Sequence, residues 1–277
     1  MRERIKSGII IASLFLLLAA FSWNRATQRI ILALLSVISV YEILSVTDRV
    51  KSPVSMICGG ICAICIPLLF NGFSTKTGTA LLFVGTAAMM GICAILLKYR
   101  HKKFATPMLA AILSIIVPLF FTTIALLRQM PYGAYLFYAV FLCSWGTDTA
   151  GYFFGYFFGK RKMTPRISPK KTFEGAIGGL ITSAGAFAII GFATYIEMGI
   201  HINYFITTLI GVICGIVSIC GDLSASIIKR CYGAKDYGHL IPGHGGIMDR
   251  FDSVLFTAPA IYFSAVLLET FNLHILG

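Results

Sequence analysis

Charge is scarce in this sequence. Only 12% of its 277 residues are Asp, Glu, Lys or Arg, while 57% are hydrophobic. Soluble domains carry about 25% charged and about 45–50% apolar residues, so a soluble globular protein and a disordered tail are both excluded. Acids are the rarer sign, 11 against 23 bases, which leaves a net charge of +12. There are eight cysteines, and three of them resemble a ligand set at first glance. Cys58, Cys62 and Cys65 fall at helical spacing, but no His or carboxylate shares their apolar run. Small helix-packing residues account for them better than zinc or a disulfide does. No Walker A pattern occurs, which excludes a P-loop, and no internal repeat is visible.

What the chain does have is long apolar runs, with a mean hydropathy of +0.85. A spanning helix needs about 20 apolar residues. About nine stretches qualify: 8–23, 29–46, 53–71, 78–97, 105–127, 132–158, 174–197, 203–222 and 253–272. The sixth carries Asp148 and is long enough to run past the membrane surface. The basic residues support the count, because cytoplasmic loops collect Lys and Arg. Every base except Arg25, Arg29, Lys76 and Arg128 lies before the first span or in an even-numbered loop. The expectation is an all-α, polytopic integral membrane protein of about nine transmembrane helices, multi-pass in the cell membrane, with a cytoplasmic N-terminus. The first segment has a basic start and a small-residue end, yet eight further spans favour an uncleaved helix over a signal peptide.

Polar residues are distributed unevenly. Residues 1–130 are expected to be structural hydrophobic helices, and 131–277 a catalytic membrane domain with a cytoplasm-facing active site. In the first half Glu42 lies inside a span, where an acid is costly; snorkelling or a bond to a neighbouring helix explains it. Seven of the 11 acids fall between Asp148 and Asp252. Asp148 shares a helix face with Gly151, Gly155 and Gly159, a stripe that admits a close neighbour; the acid on it points to a site. In the sixth loop Ser168 and Pro169 read as N-cap and first helical residue. Lys170 and Lys171 would then sit unfavourably in a first turn that is already positive. A bound anion would resolve the conflict, so Ser168, Lys170, Lys171 and Thr172 are expected to hold one.

The eighth loop is the strongest signal. If helical, Asp222, Ser226 and Lys229 share a face, with Arg230 beside them. The stretch 233–246 then has five glycines, a proline and two histidines. Such a loop exposes backbone N–H groups that can wrap an anion. The last helix starts near Ile247, and Asp249 and Asp252 share its face at a spacing that suits a hard cation such as Mg²⁺. Acids for a metal together with cations and glycines for phosphates imply metal-dependent phosphoryl or nucleotidyl transfer. At the membrane surface a soluble nucleotide could meet a lipid phosphate.

Ser226-Ile227-Ile228-Lys229-Arg230, Lys235-Asp236 and Pro242-Gly243-His244-Gly245-Gly246-Ile247-Met248-Asp249-Arg250-Phe251-Asp252 resemble the signature of the phosphatidate cytidylyltransferases (CDP-diacylglycerol synthases). Asp148, the Gly155-to-Gly159 region and the run Ser168 to Gly175 are also similar to that family. The resemblance implies an enzyme that transfers a cytidylyl group from CTP to phosphatidate, releasing pyrophosphate and making CDP-diacylglycerol for phospholipid biosynthesis. It implies Mg²⁺, leaves a second cation open and admits a homodimer. Membrane lipids are expected partners and nucleic acid is not.

By the family's pattern Asp222 and Asp249 hold the metal centre, supported by Asp252 and joined by Asp148. Lys229, Arg230, Lys235 and Arg250 neutralise triphosphate or lipid phosphate. Ser226, Asp236, His244, Gly245 and Gly246 are expected to line the substrates, His244 either touching phosphate or shaping its loop. Two rivals fit less well. The Asp-x-x-Asp-Gly-x-x-Ala-Arg pattern of the CDP-alcohol phosphotransferases is missing. A transporter would use Glu42 and Asp148 near the midplane, whereas here the polar groups crowd one surface.

Overall fold

A computed structural model describes residues 24–47, 53–69, 106–130, 132–199, 203–241 and 245–270, without the side chains of 106–108, 198, 269 and 270. The expected spans 8–23 and 78–97 lie outside the described residues, as do Pro242, Gly243 and His244. Seven helices are described: α1 Arg25–Thr47, α2 Pro53–Leu69, α3 Thr106–Gln129, α4 Gly133–Phe157, α5 Phe173–Met198, α6 Tyr204–Cys231 and α7 Met248–Thr270. The described residues also include one antiparallel hairpin, β1 Lys162–Thr164 with β2 Ser168–Thr172. Among the described residues, five stretches are long and apolar enough to cross a membrane: Arg25–Thr47, Leu109–Gln129, Phe173–Glu197, Tyr204–Cys231 and Met248–Leu268. The protein is therefore an all-α membrane protein but for the hairpin. Helix α4 matches these in length, but its sequence includes Asp148, tyrosines and four glycines, which lower its hydropathy.

Two boundaries near the polar residues differ from those expected. Helix α6 runs on to Cys231 instead of ending at 222, so Asp222, Ser226, Lys229 and Arg230 are all helical. Helix α5 starts at Phe173, not at Pro169. Its N-cap is Thr172, whose hydroxyl oxygen accepts the Gly175 N–H at 3.1 Å, and Ser168 is the first residue of β2. Both Ser168 and Thr172 are suitable caps. The hairpin decides between them, because Thr164 pairs with Ser168 and Lys162 with Thr172. A strand through Ser168–Thr172 leaves the helix to begin immediately after it. Lys170 and Lys171 are thus in a strand, and the electrostatic conflict of a cationic first turn does not arise.

The chain divides into two compact units. The first is Met1–Ala125 with Ile227–Asp252, and the second is Leu126–Ser226 with Ser253–Gly277. In the first unit α1 and α2 approach closely at Gly59, where an added Cβ would lie 2.8 Å from Leu44 Cδ1 and 3.0 Å from Ser114 Oγ. Its core includes the buried side chains of Leu32, Ile43, Leu113 and Phe120, and the rings of Phe121 and Phe251 lie 5.6 Å apart.

In the second unit small residues set the helix spacing, as they do in membranes. Gly155, Gly159 and Gly175 surround the buried Thr172 hydroxyl, and Gly179 faces Thr147 across α4 and α5. The glycine stripe of α4 is thus a packing surface for the start of α5. Ser183 Oγ donates to Gly211 O at 2.6 Å and lies 2.9 Å from Cys143 Sγ. Gly221 abuts Phe256. Outward-facing Ile177, Ile181, Ile189 and Phe192 on α5, and Phe205, Leu209 and Ile213 on α6, are exposed, as lipid-facing side chains are.

Candidate active site

The signature run folds, in the first unit, around the carboxylate of Asp249. Asp249 Oδ1 accepts from Lys229 Nζ at 2.7 Å. Its Oδ2 accepts the Tyr237 N–H at 2.8 Å and the Gly246 N–H at 3.0 Å. Lys229 Nζ also lies 3.9 Å from Asp252 Oδ2 and 5.1 Å from the centroid of the Tyr237 ring, a cation–π distance. The side chains of Lys229 and Asp249 are only 9% and 2% exposed. Such burial of charge is tolerated only with pairing and hydrogen bonds, and both are present.

The chain between α6 and α7 is bent by two glycines in the left-handed region, Gly233 at φ 73° and Gly245 at φ 84°. Ile241 N–H closes back on Gly245 O at 2.9 Å. Arg230 Nη1 donates to Ala234 O at 2.9 Å and so ties the first bend to the helix end. Lys235 is exposed, while Asp236 and Arg250 are half-buried.

The sequence suggests a glycine loop that offers its amides to an anion. Several of its described amides are already used. Gly246 N–H and Tyr237 N–H go to Asp249, while Ile247 N–H and Met248 N–H go to Glu42 Oε1 and Oε2 at 3.1 and 2.8 Å. Carboxylates from the protein itself occupy the α7 N-terminus, the position where helices bind anions. Glu42 does bond a neighbouring helix, as its place in a span suggested, but it does so at the heart of the signature. Sequence reasoning left it out of the site, and the one clue was an ionisable residue within an apolar span.

The second unit carries its own polar cluster. Lys171, on β2, pairs with Asp222 Oδ2 on α6 at 2.6 Å, and Ser226 Oγ donates to Asp222 Oδ1 at 3.4 Å. The Lys171 and Asp222 side chains are 23% and 24% exposed, although the Lys171 ammonium nitrogen itself is buried. Lys170 points outward and Ser168 is half-buried, while Thr172 serves as the cap. Glu174 accepts the N–H groups of Lys160 and Arg161 at 3.1 and 3.3 Å, anchoring the base of the hairpin. Asp148 Oδ2 accepts from Ser253 Oγ at 2.8 Å.

The carboxylates fit a hard cation to different degrees. Asp222 is partly exposed, and an ammonium and a hydroxyl face its oxygens. Asp249 and Asp252 both face a cation already, the Lys229 ammonium. Among the described residues no three His, Cys, Asp or Glu side chains gather into a group that could hold a metal. That is compatible with Mg²⁺, which commonly takes one or two carboxylates and fills its remaining positions with water and phosphate oxygens.

Comparison with known proteins places these clusters in a family. Residues 2–268 match the model of the Cytidylyltransferase family. The chain is 45% identical over 127 residues to the phosphatidate cytidylyltransferase of Staphylococcus haemolyticus, covering 46% of this chain and 47% of that one. It is 43% identical over 133 residues to the phosphatidate cytidylyltransferase of Bacillus subtilis, covering 48% of each. It is 44% identical over 137 residues to that of Haemophilus influenzae, covering 48% of this chain and 46% of the relative. In each match the chain spans about half the length of the curated relative. With a family match over nearly its whole length, the chain belongs to the cytidylyltransferase family.

Proposed function

We propose that the protein transfers the cytidylyl group of CTP to phosphatidate, giving CDP-diacylglycerol and pyrophosphate. The observation that carries this reading is the folding of the signature run in the first unit into one buried, fully paired polar cluster, Lys229–Asp249–Tyr237–Gly246, where a mere loop would leave these groups in water. Three relatives bear the name phosphatidate cytidylyltransferase, and both substrates of that reaction are anions.

A phosphatidate oxygen attacks the α-phosphorus of CTP, a new P–O bond forms, and the bond to the β-phosphate breaks. The attacking phosphate is already ionised, so no general base is required. Lys229, Arg230, Lys235 and Arg250 in the first unit, and Lys170 and Lys171 in the second, neutralise the two anions. Ser168 supplies a hydroxyl donor, Ser226 holds Asp222, and Thr172 supports them from within the fold. Mg²⁺ would be held in the second unit through Asp222, with Asp148 in support, or in the first through Asp249 and Asp252. When bound, it offsets negative charge on the triphosphate and the leaving pyrophosphate. The proposal includes nine spans, a cytoplasmic N-terminus and substrate entry from the cytoplasmic side, where CTP is found.

The test is turnover by purified protein in detergent with phosphatidate and α-phosphate-labelled CTP, in Mg²⁺ or in EDTA. Label entering the organic phase only with Mg²⁺ is the expected result. Folded protein that leaves all label in the aqueous phase would overturn the reading.

A further inference from the structure

Glu42 stands in the last two turns of the apolar helix α1, 205 residues before its hydrogen-bond partner Ile247. Its relative exposure is 5%. Each carboxylate oxygen takes one backbone N–H, Oε1 from Ile247 and Oε2 from Met248. They are the first amide of α7 and the one just before it, and neither has a partner inside the helix. The positive end of the helix dipole favours an anion at this place.

The amide immediately before them, that of Gly246, goes to Asp249 Oδ2. Three consecutive N–H groups, 246 to 248, are thus divided between Glu42 and Asp249. The orientation of the Asp249 carboxylate depends on the same turn that Glu42 holds. Through Asp249 Oδ1 the turn also sets the position of the Lys229 ammonium.

Two glycines show independently that the carboxylate is built in. A Cβ on Gly238 would lie 2.7 Å from Glu42 Cδ and 3.0 Å from its Cγ. A Cβ on Gly246 would collide with the Glu42 carboxylate itself. Both glycines leave space that Glu42 fills, and Gly246 keeps its N–H turned to Asp249.

We propose that Glu42 is a positioning residue for this site: it bonds the Ile247 and Met248 amides at the turn into α7 and so fixes Asp249 and, through it, Lys229. It touches no substrate. The role deepens the cytidylyl-transfer reading and, as far as rate is concerned, rests on it.

The test uses the full chain in detergent, as wild type, Glu42→Gln and Glu42→Asp. Two quantities are read: amide hydrogen exchange in peptides covering 245–250, and kcat and KM for both substrates per folded protein. Gln turns an N–H donor toward one of two N–H donors and removes the charge. Exchange over 245–250 should quicken about ten-fold as those hydrogen bonds are lost. A small misplacement of reacting groups can cost about 100-fold in rate, so kcat should fall by about that factor. Both KM values should stay within about three-fold, the split expected when the lost alignment matters chiefly in the transition state.

Asp keeps the charge on a shorter stem and should recover part of both effects. Should the Gln variant fail to fold, Gly246→Ala perturbs the same contact with Glu42 intact and should give the same two changes. Unchanged exchange over 245–250, or a kcat within about three-fold of wild type, overturns the proposal. A wild-type protein with no lipid label defeats the cytidylyl-transfer reading instead, and the exchange comparison then still decides whether Glu42 holds the turn.

Discussion

Lys229 and Asp249 form a buried ion pair at 2.7 Å, joining the end of one helix to the start of the next. Desolvating two charges is expensive, and breaking such a pair by removing one partner costs about 3–5 kcal/mol because the other charge is stranded. Lys229→Met should therefore lower thermal stability sharply and abolish turnover. Adding Asp249→Asn to it should restore part of the stability and none of the activity. Thermal denaturation of the two single variants and the double variant in detergent checks this; strictly additive losses would mean that the two side chains are not coupled.

Lys171 and Asp222 present the opposite balance. Their pair is short, 2.6 Å, but both side chains keep nearly a quarter of their exposure. Partly exposed pairs contribute about 1 kcal/mol or less. Lys171→Ala and Asp222→Asn should each lower the melting temperature less than Lys229→Met does, yet lower kcat/KM by at least about ten-fold, as loss of charge stabilisation does. Unaltered kinetics in both variants would make this pair structural only.

These two pairs show how far the sequence could be read. Asp222, Lys229, Asp249 and Asp252 were visible as candidates because they stand within a few helical turns or a glycine-rich loop of one another. The ladder of apolar runs was visible because hydrocarbon thickness fixes helix length. The α5 start was misplaced because Ser168-Pro169 and Thr172 carry equally good local signals, and only pairing across the hairpin selects Thr172. Lys171 could be named but not its partner, since Lys171 is in strand β2 and Asp222 lies on helix α6, distant in sequence. Glu42 was least legible of all, because hydrogen bonds across more than 200 residues leave no periodic trace.

Metal removal should separate function from fold. Each carboxylate proposed for Mg²⁺ already has a protein partner: Lys171 for Asp222, Lys229 for Asp249 and Asp252, and Ser253 for Asp148. EDTA should therefore stop turnover while shifting the melting temperature only slightly. A loss of more than about 10 °C on chelation would identify the ion as structural, since binding to the folded state alone raises stability by mass action.

The last prediction concerns two glycines on one helix. A Cβ at Gly175 would lie 2.5 Å from the Gly151 carbonyl oxygen and 3.2 Å from Gly155 Cα, both backbone atoms of the facing helix. Neither can yield without parting α4 from α5, and overpacking of this kind costs about 1–3 kcal/mol. At Gly185 on the same helix nothing lies within 4 Å of the added atom, and Ala exceeds Gly in helix propensity by about 1 kcal/mol. Gly175→Ala should accordingly lower the melting temperature and Gly185→Ala should hold or raise it. The hairpin extends the difference to activity. Gly175 N–H is capped by Thr172, the residue that follows Lys171 in β2, so moving this helix start displaces the lysine paired with Asp222. Gly175→Ala should lose turnover and Gly185→Ala should keep it. Equal melting temperatures and equal rates in the two variants would show that the close approach of α4 and α5 does not set the position of the hairpin.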